Sequence, residues 1–122
     1  MTATVLIVEG PTLAELDPSG SIESFLHYTD SDGQRWPITT RNSVTAVEVH
    51  TFNAKTRAFL VVAEAGVCVL RTDTTSALAD NVAADGSGGD IKISADGTGT
   101  PLTQYAGGVN QNHSFLGLIE AS

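Results

Sequence analysis

The chain has one cysteine, Cys68, so no internal disulfide can form and the fold has to stand on a hydrophobic core. Basic residues are scarce: six Lys and Arg against fourteen Asp and Glu leave a formal charge of −8. A field of that sign repels nucleic acid and anionic membrane and offers no basic groove for phosphates, which excludes a basic nucleic-acid binder. Aromatic residues make up only 6% of the chain and stand mostly inside strand-like runs. No row of rings beside basic residues is therefore present to stack single-stranded bases. Long apolar runs are missing too. The longest, residues 58–70, carries Glu64 in its centre and Gly66 beside it, whereas a spanning helix needs about 20 apolar residues. Residues 5–8 have no preceding Lys or Arg and are too short for the apolar part of a signal peptide, so no leader and no membrane segment are expected.

What is present is 122 residues, 41% of them apolar. That length suits a single domain, 1–122, able to bury roughly two-thirds of its unfolded surface. Short β-rich runs alternate with Gly, Pro, Asp and Ser clusters. Residues 4–9 form the first run, ended by Gly10-Pro11. Residues 21–29 and 34–40 flank Asp30-Ser-Asp-Gly33 and read as a hairpin, with Trp36 and Ile38 sharing parity and facing the core. Residues 44–52 are the cleanest strand, dense in β-branched and aromatic side chains. The continuous apolarity of 59–63 and 67–70 predicts strands covered on both faces, and their spacing around Glu64-Ala-Gly66 predicts a second hairpin. Arg57 and Arg71 would stand near its open end, as two solvated groups that do not face each other or with an acid between them.

Thr75 or Ser76 can cap a short helix with Leu78 and Val82 on one face and Gly86 as its stop. Residues 85–90 read as a flexible surface loop, followed by strands over 91–94 and 113–120 with a turn at Asp96-Gly97. Together these elements predict an all-β fold: a small single-domain β-sandwich or β-barrel with at most one or two short helices.

Motifs that carry chemistry are nearly absent. Ser87 has Gly89 after it but Asp85 where a serine elbow needs its first glycine. Cys68 lies inside an apolar run, where a thiol is a small hydrophobe. His27, His50 and His113 are far apart. Glu48 and His50 share a strand face and could begin a metal site, but no His-x-x-x-His or Cys-x-x-Cys spacing completes one. A calcium loop over 85–96 would place Asp85 first, Ser87 third and Asp96 last, with Gly89 where an acid belongs and Asp90 where the turn glycine belongs. Asn112-His-Ser114 is a glycosylation sequon by pattern alone. No catalytic, cofactor-binding or metal-ligating residue is expected, and no cofactor.

One part of the chain does look like a family. Gly89-Asp-Ile-Lys-Ile-Ser-Ala-Asp-Gly97, then Thr100-Pro-Leu-Thr103, then Phe115-Leu-Gly-Leu-Ile-Glu-Ala-Ser122 follow one another in the C-terminal third. This succession resembles the strand, Asp-Gly turn, Thr/Pro step and closing strand of small tailed-bacteriophage capsid cement (decoration) proteins. The resemblance implies a non-enzymatic virion component that is assembled in the host cytoplasm. It would stabilise the head shell through contacts with the major capsid protein and with copies of itself, often around a three-fold, without nucleic acid or membrane. Fifteen threonines, ten serines and twelve glycines suit a β-rich assembly protein, and extended segments such as 1–8 or 97–108 would either pair ordinarily or add to a neighbour's sheet. A second expectation is a small β-sandwich binding module, carbohydrate-binding or adhesin-like, with Trp36, Tyr28 or Tyr105 as its ring platform.

Overall fold

A computed structural model describes residues 3–12, 16, 29–30, 32–42, 47–87, 90–97, 99–109 and 113–121. The described elements are β1 (Thr4–Gly10), β2 (Ile38–Asn42), β3 (Glu48–Thr51), β4 (Ala58–Ala65), β5 (Val67–Asp73), α1 (Ser76–Ala79), β6 (Ile91–Ser94), β7 (Gln104–Gly108) and β8 (Phe115–Glu120). The strands form two four-stranded sheets, β2-β1-β4-β7 and β3-β8-β5-β6, with every pairing antiparallel. The fold is all-β, as the turn spacing predicts. If the strands are counted from β2, with β1 taken last, the sheets read first-eighth-third-sixth and second-seventh-fourth-fifth. That is the strand order of a jelly roll whose final strand is supplied by the start of the chain.

Two cores follow from strand parity. Val5, Ile7, Phe59, Val61 and Ala63 of the first sheet meet Cys68, Leu70, Ile93, Leu116 and Leu118 of the second, which fills the space between the sheets. The opposite face of β1 and β4 carries Leu6, Val8, Ala58, Leu60 and Val62, covered by Leu16 with Trp36 and Ile38 packed against it. Both inner strands of this sheet are therefore buried on both faces, which is the physical reason for their unbroken apolarity. Trp36 and Ile38 do face a buried cluster, but it is this outer one rather than the core between the sheets.

The second hairpin does not form. β4 and β5 are separated by Gly66 alone, too little chain to reverse direction within one sheet. Gly66 instead takes φ 71°, a left-handed conformation that glycine adopts freely, and the chain turns a corner into the other sheet. β4 pairs with β1 and β7, and β5 pairs with β8 and β6. Arg57 and Arg71 accordingly do not face each other: Arg57 donates to the carbonyls of Ala54 and Thr56, and Arg71 reaches Asp90 at 3.2 Å.

Other boundaries moved for local reasons. Of the strand expected over 44–52, β3 covers Glu48–Thr51, and residues 44–46 lie outside the described residues. The first arm of the expected Trp36 hairpin likewise lies outside them apart from Thr29, which bridges Arg35. Its second arm pairs over Ile38–Asn42 with β1. Thr4–Gly10 is an inner strand, paired on both sides, so the ordinary paired reading holds for the described part of 1–8. Of the 85–90 loop, residues 88 and 89 are outside the described set.

α1 is capped by Thr75, whose hydroxyl accepts from the Leu78 N–H at 3.2 Å. It ends at Ala79 rather than near Gly86, and its buried residue is Ala79, while Leu78 is 45% exposed. A helix of one turn is too short to bring Leu78 and Val82 onto one buried face. Thr75→Ala removes the cap and should cost about 1 kcal/mol in urea unfolding.

Candidate functional site

A cleft of about 350 Å3 lies beside Trp36, and it is built by two turns. One turn is organised by Asp30. Its Oδ1 accepts from the backbone N–H groups of Asp32 and Gln34, each at 2.9 Å, and its Oδ2 accepts from the Trp36 indole N–H at 2.8 Å. These bonds, the indole first and then the Gln34 and Asp32 amides, hold the Asp30 carboxyl below its ordinary 3.8 against a small burial effect. They also lock the indole in one orientation, half-buried against the outer cluster. Gln34 and Arg35 complete this wall.

The second turn carries Asn53 and Lys55. Thr56 N–H bonds to Asn53 O at 2.9 Å, and Asn53 Oδ1 accepts from the Lys55 N–H at 3.0 Å. What pins this turn is a buried carboxylate that the sequence reading did not single out. Glu9 follows Val5 and Ile7 on the inward face of β1 and is 1% exposed. Its Oε1 accepts from Asn53 N–H and from Thr56 Oγ1, both at 2.7 Å, and its Oε2 lies 3.1 Å from His50 Nε2. The Glu9 backbone N–H donates to Pro37 O at 3.2 Å. One residue thus ties both walls of the cleft. The only signal in the sequence was a charged side chain at an inward position of an otherwise apolar strand, which carries no information about its partners.

Burial works to raise the Glu9 pKa, but hydrogen bonds from His50, Asn53 and Thr56 outweigh it and hold the group below its ordinary 4.5. A carboxylate with both oxygens occupied, sealed from solvent, is a structural tie rather than a proton acceptor for a substrate. His50 sits edge-on to Phe52, ring centroids 5.5 Å apart, and is itself buried.

The remaining sequence candidates stay dispersed. Glu48 and His50 do share the inward face of β3, but among the described residues no three His, Cys, Asp or Glu side chains are grouped to hold a metal ion. The acids of the 85–96 loop turn to separate partners: Asp85 to the Ser87 N–H, Asp90 to Arg71, and Asp96 to the Ser94 hydroxyl. Burial, and Glu120 beside it, push the Cys68 thiol up to about 12, so it is no thiolate at neutral pH. Tyr105 is half-buried, packed on the inner core with its ring 6.0 Å from Phe59. His27, Tyr28 and Asn112 lie outside the described residues, and His113 is half-buried ahead of β8.

Among the described residues no helix is long and apolar enough to cross a membrane. No family model matches the chain, and neither a curated protein nor a solved structure does.

Proposed function

We propose that the chain is a non-enzymatic structural component of a phage particle, a capsid decoration protein that stabilises the shell through contacts with the major capsid protein and with its own copies. The C-terminal resemblance supports this reading, and so does a strand order shared with the jelly rolls of viral capsid proteins. The observation that carries it is the edge formed by β7. Ala63 N–H bonds to Thr103 O and Val109 N–H bonds to Arg57 O, so the ladder to β4 uses the odd-numbered residues. The N–H and C=O groups of Gln104, Ala106 and Gly108 therefore point away from the sheet. Among the described residues, the other three edge strands each contain a charged residue: Arg41 in β2, Glu48 in β3 and Lys92 in β6. β7, Gln-Tyr-Ala-Gly-Gly, contains neither charge nor proline, the features that usually keep an edge from accepting another strand.

Density-gradient sedimentation of lysate from the source material, with detection of the chain by mass spectrometry, tests this directly. Near-stoichiometric recovery in a particle band is expected, and recovery only as free small protein would overturn the proposal. Ala106→Pro removes an outward N–H and no ladder bond. A variant that still melts within a few degrees of the parent is expected to be depleted from the band at least about tenfold.

A second reading, a small β-sandwich binding module, is favoured by the Trp36 cleft. Its volume falls within the range of small-ligand sites, roughly 300–1,000 Å3, and its one ring is fixed rather than mobile.

A further inference from the structure

We infer that the β7 edge takes the β7 edge of a second copy, antiparallel and related by a two-fold axis at Ala106; this rests on the particle reading above and names the partner at that edge. The backbone sets the register. The N–H and C=O groups of Gln104, Ala106 and Gly108 point away from β4, and among the described residues nothing pairs with them. They are spaced evenly about Ala106. An antiparallel copy centred there sets Ala106 against Ala106 and Gln104 against Gly108 on either side, each as a pair that exchanges both its hydrogen bonds. No outward group of the strand is left over. The two four-stranded sheets join as β2-β1-β4-β7-β7-β4-β1-β2.

The same axis matches the side chains. β7 carries its bulk in its first half, Gln104 and Tyr105, and its glycines in its second, Gly107 and Gly108. About Ala106, Gln104 meets Gly108 on the outer face and Tyr105 meets Gly107 on the face toward the inner core. Each large side chain thus stands opposite a residue that has none, the arrangement in which a ring covers a cross-strand glycine. Moving the axis to Gln104 sets Gln against Gln and Tyr105 against Thr103. Moving it to Gly108 takes the glycines away from Gln104 and Tyr105. Charge points to the same edge. Copies carrying −8 each repel one another, and among the described residues β7 is the edge strand without a charged side chain. A pair of five-residue strands falls below the roughly 1,200 Å2 of a stable complex, so free chains associate weakly and copies held side by side on a shell pair more fully.

Sedimentation velocity of the purified chain from about 1 to 500 μM tests the pairing. A monomer–dimer equilibrium half-associated at roughly 10–100 μM is expected, tightened by added salt because like-charged copies are screened. Ala106→Pro takes an outward N–H from each copy and should weaken dimerisation at least about tenfold. Oxidation with glutathione disulfide reads the register. Ala106→Cys sets two thiols across the axis with Cα atoms about 5.5 Å apart, within disulfide reach, and a covalent dimer should form. Gln104→Cys faces Gly108 and should cross-link at least about tenfold more slowly, while the double variant Gln104→Cys/Gly108→Cys should cross-link readily. Cys68 is buried and does not compete. A parent chain that stays monomeric to about 500 μM, or Gln104→Cys cross-linking as fast as Ala106→Cys, would overturn the inference. The particle proposal would still be judged by sedimentation of the lysate, since another protein's strand at the same edge would keep the chain in the band.

Discussion

Gly117→Ala should take away a large share of this protein's stability. Gly117 lies in the middle of β8, on the face turned toward α1. A β-carbon there would overlap the carbonyl oxygen of Ala79 and press on its carbonyl carbon. The obstacle is backbone, which cannot swing aside as the end of a side chain can. The single-turn helix would have to lift off the sheet, taking with it the buried Ala79 and the connection that follows. Overpacking of this kind costs about 1–3 kcal/mol where a side chain yields and more where backbone must move. Against a total stability of roughly 5–15 kcal/mol, a loss of about 3 kcal/mol or more is expected. Urea unfolding of the variant beside Thr75→Ala checks it. A Gly117→Ala protein no less stable than the capping variant would mean that α1 docks loosely and that β8 does not depend on the close approach.

Removing the Glu9 carboxylate should be comparably severe. Glu9→Ala leaves His50 Nε2, Asn53 N–H and Thr56 Oγ1 without the acceptor they share in a buried site. Loss of one member of such a buried, charge-assisted network costs about 3–5 kcal/mol. The pH dependence has a definite sign. Because its folded pKa lies below 4.5, Glu9 contributes stability that is fully present above that ordinary value. The contribution is lost as pH falls from about 4.5 through the folded pKa, where the carboxyl protonates. Glu9→Gln keeps the size and one acceptor but cannot titrate, so its stability should fall less steeply over that acid window. Thermal melts of parent and Glu9→Gln between about pH 6 and pH 3 decide the point. Parallel slopes would assign the acid sensitivity to other carboxylates. Since the Glu9 side chain also pins the Asn53 turn that lines the cleft with Trp36, the same variant is expected to change Trp36 fluorescence.

Much of the fold was legible because its signals are local. The Asp30–Gly33 turn, the Thr75 cap and the β runs all follow from side chains acting on their own backbone. Unbroken apolarity in residues 58–65 also carried its meaning, a strand covered on both faces, because periodicity records burial whichever partner supplies it. What it does not record is the identity of that partner. Gly66 looked like the tip of a hairpin because a turn and a corner use the same glycine, and only the count of one intervening residue separates them. Leu78 and Val82 looked like one helical face because helical spacing was extended past a helix that lasts a single turn. The site was less legible still. Trp36 was visible as a ring in an amphipathic arm, but Glu9, His50 and Asn53 are brought together across more than forty residues of chain by strand pairing. No spacing rule links such a set.

The placement of the first and last strands bears on when the protein can become a protein at all. β1 and β8 are inner strands, each flanked on both sides, and Thr4 and Glu120 pair with Ala65 and Cys68, on either side of the Gly66 corner. As a nascent chain leaves the ribosome, β3 and β5 must wait, unjoined, for residues 115–120 to slip between them. Until then β5 has only β6 beside it, and its other edge stays open. Closing the second sheet thus depends on contacts far apart in sequence, which makes folding slow and all-or-none. A copy without residues 115–120 would leave the facing edges of β3 and β5 open and the second sheet incomplete.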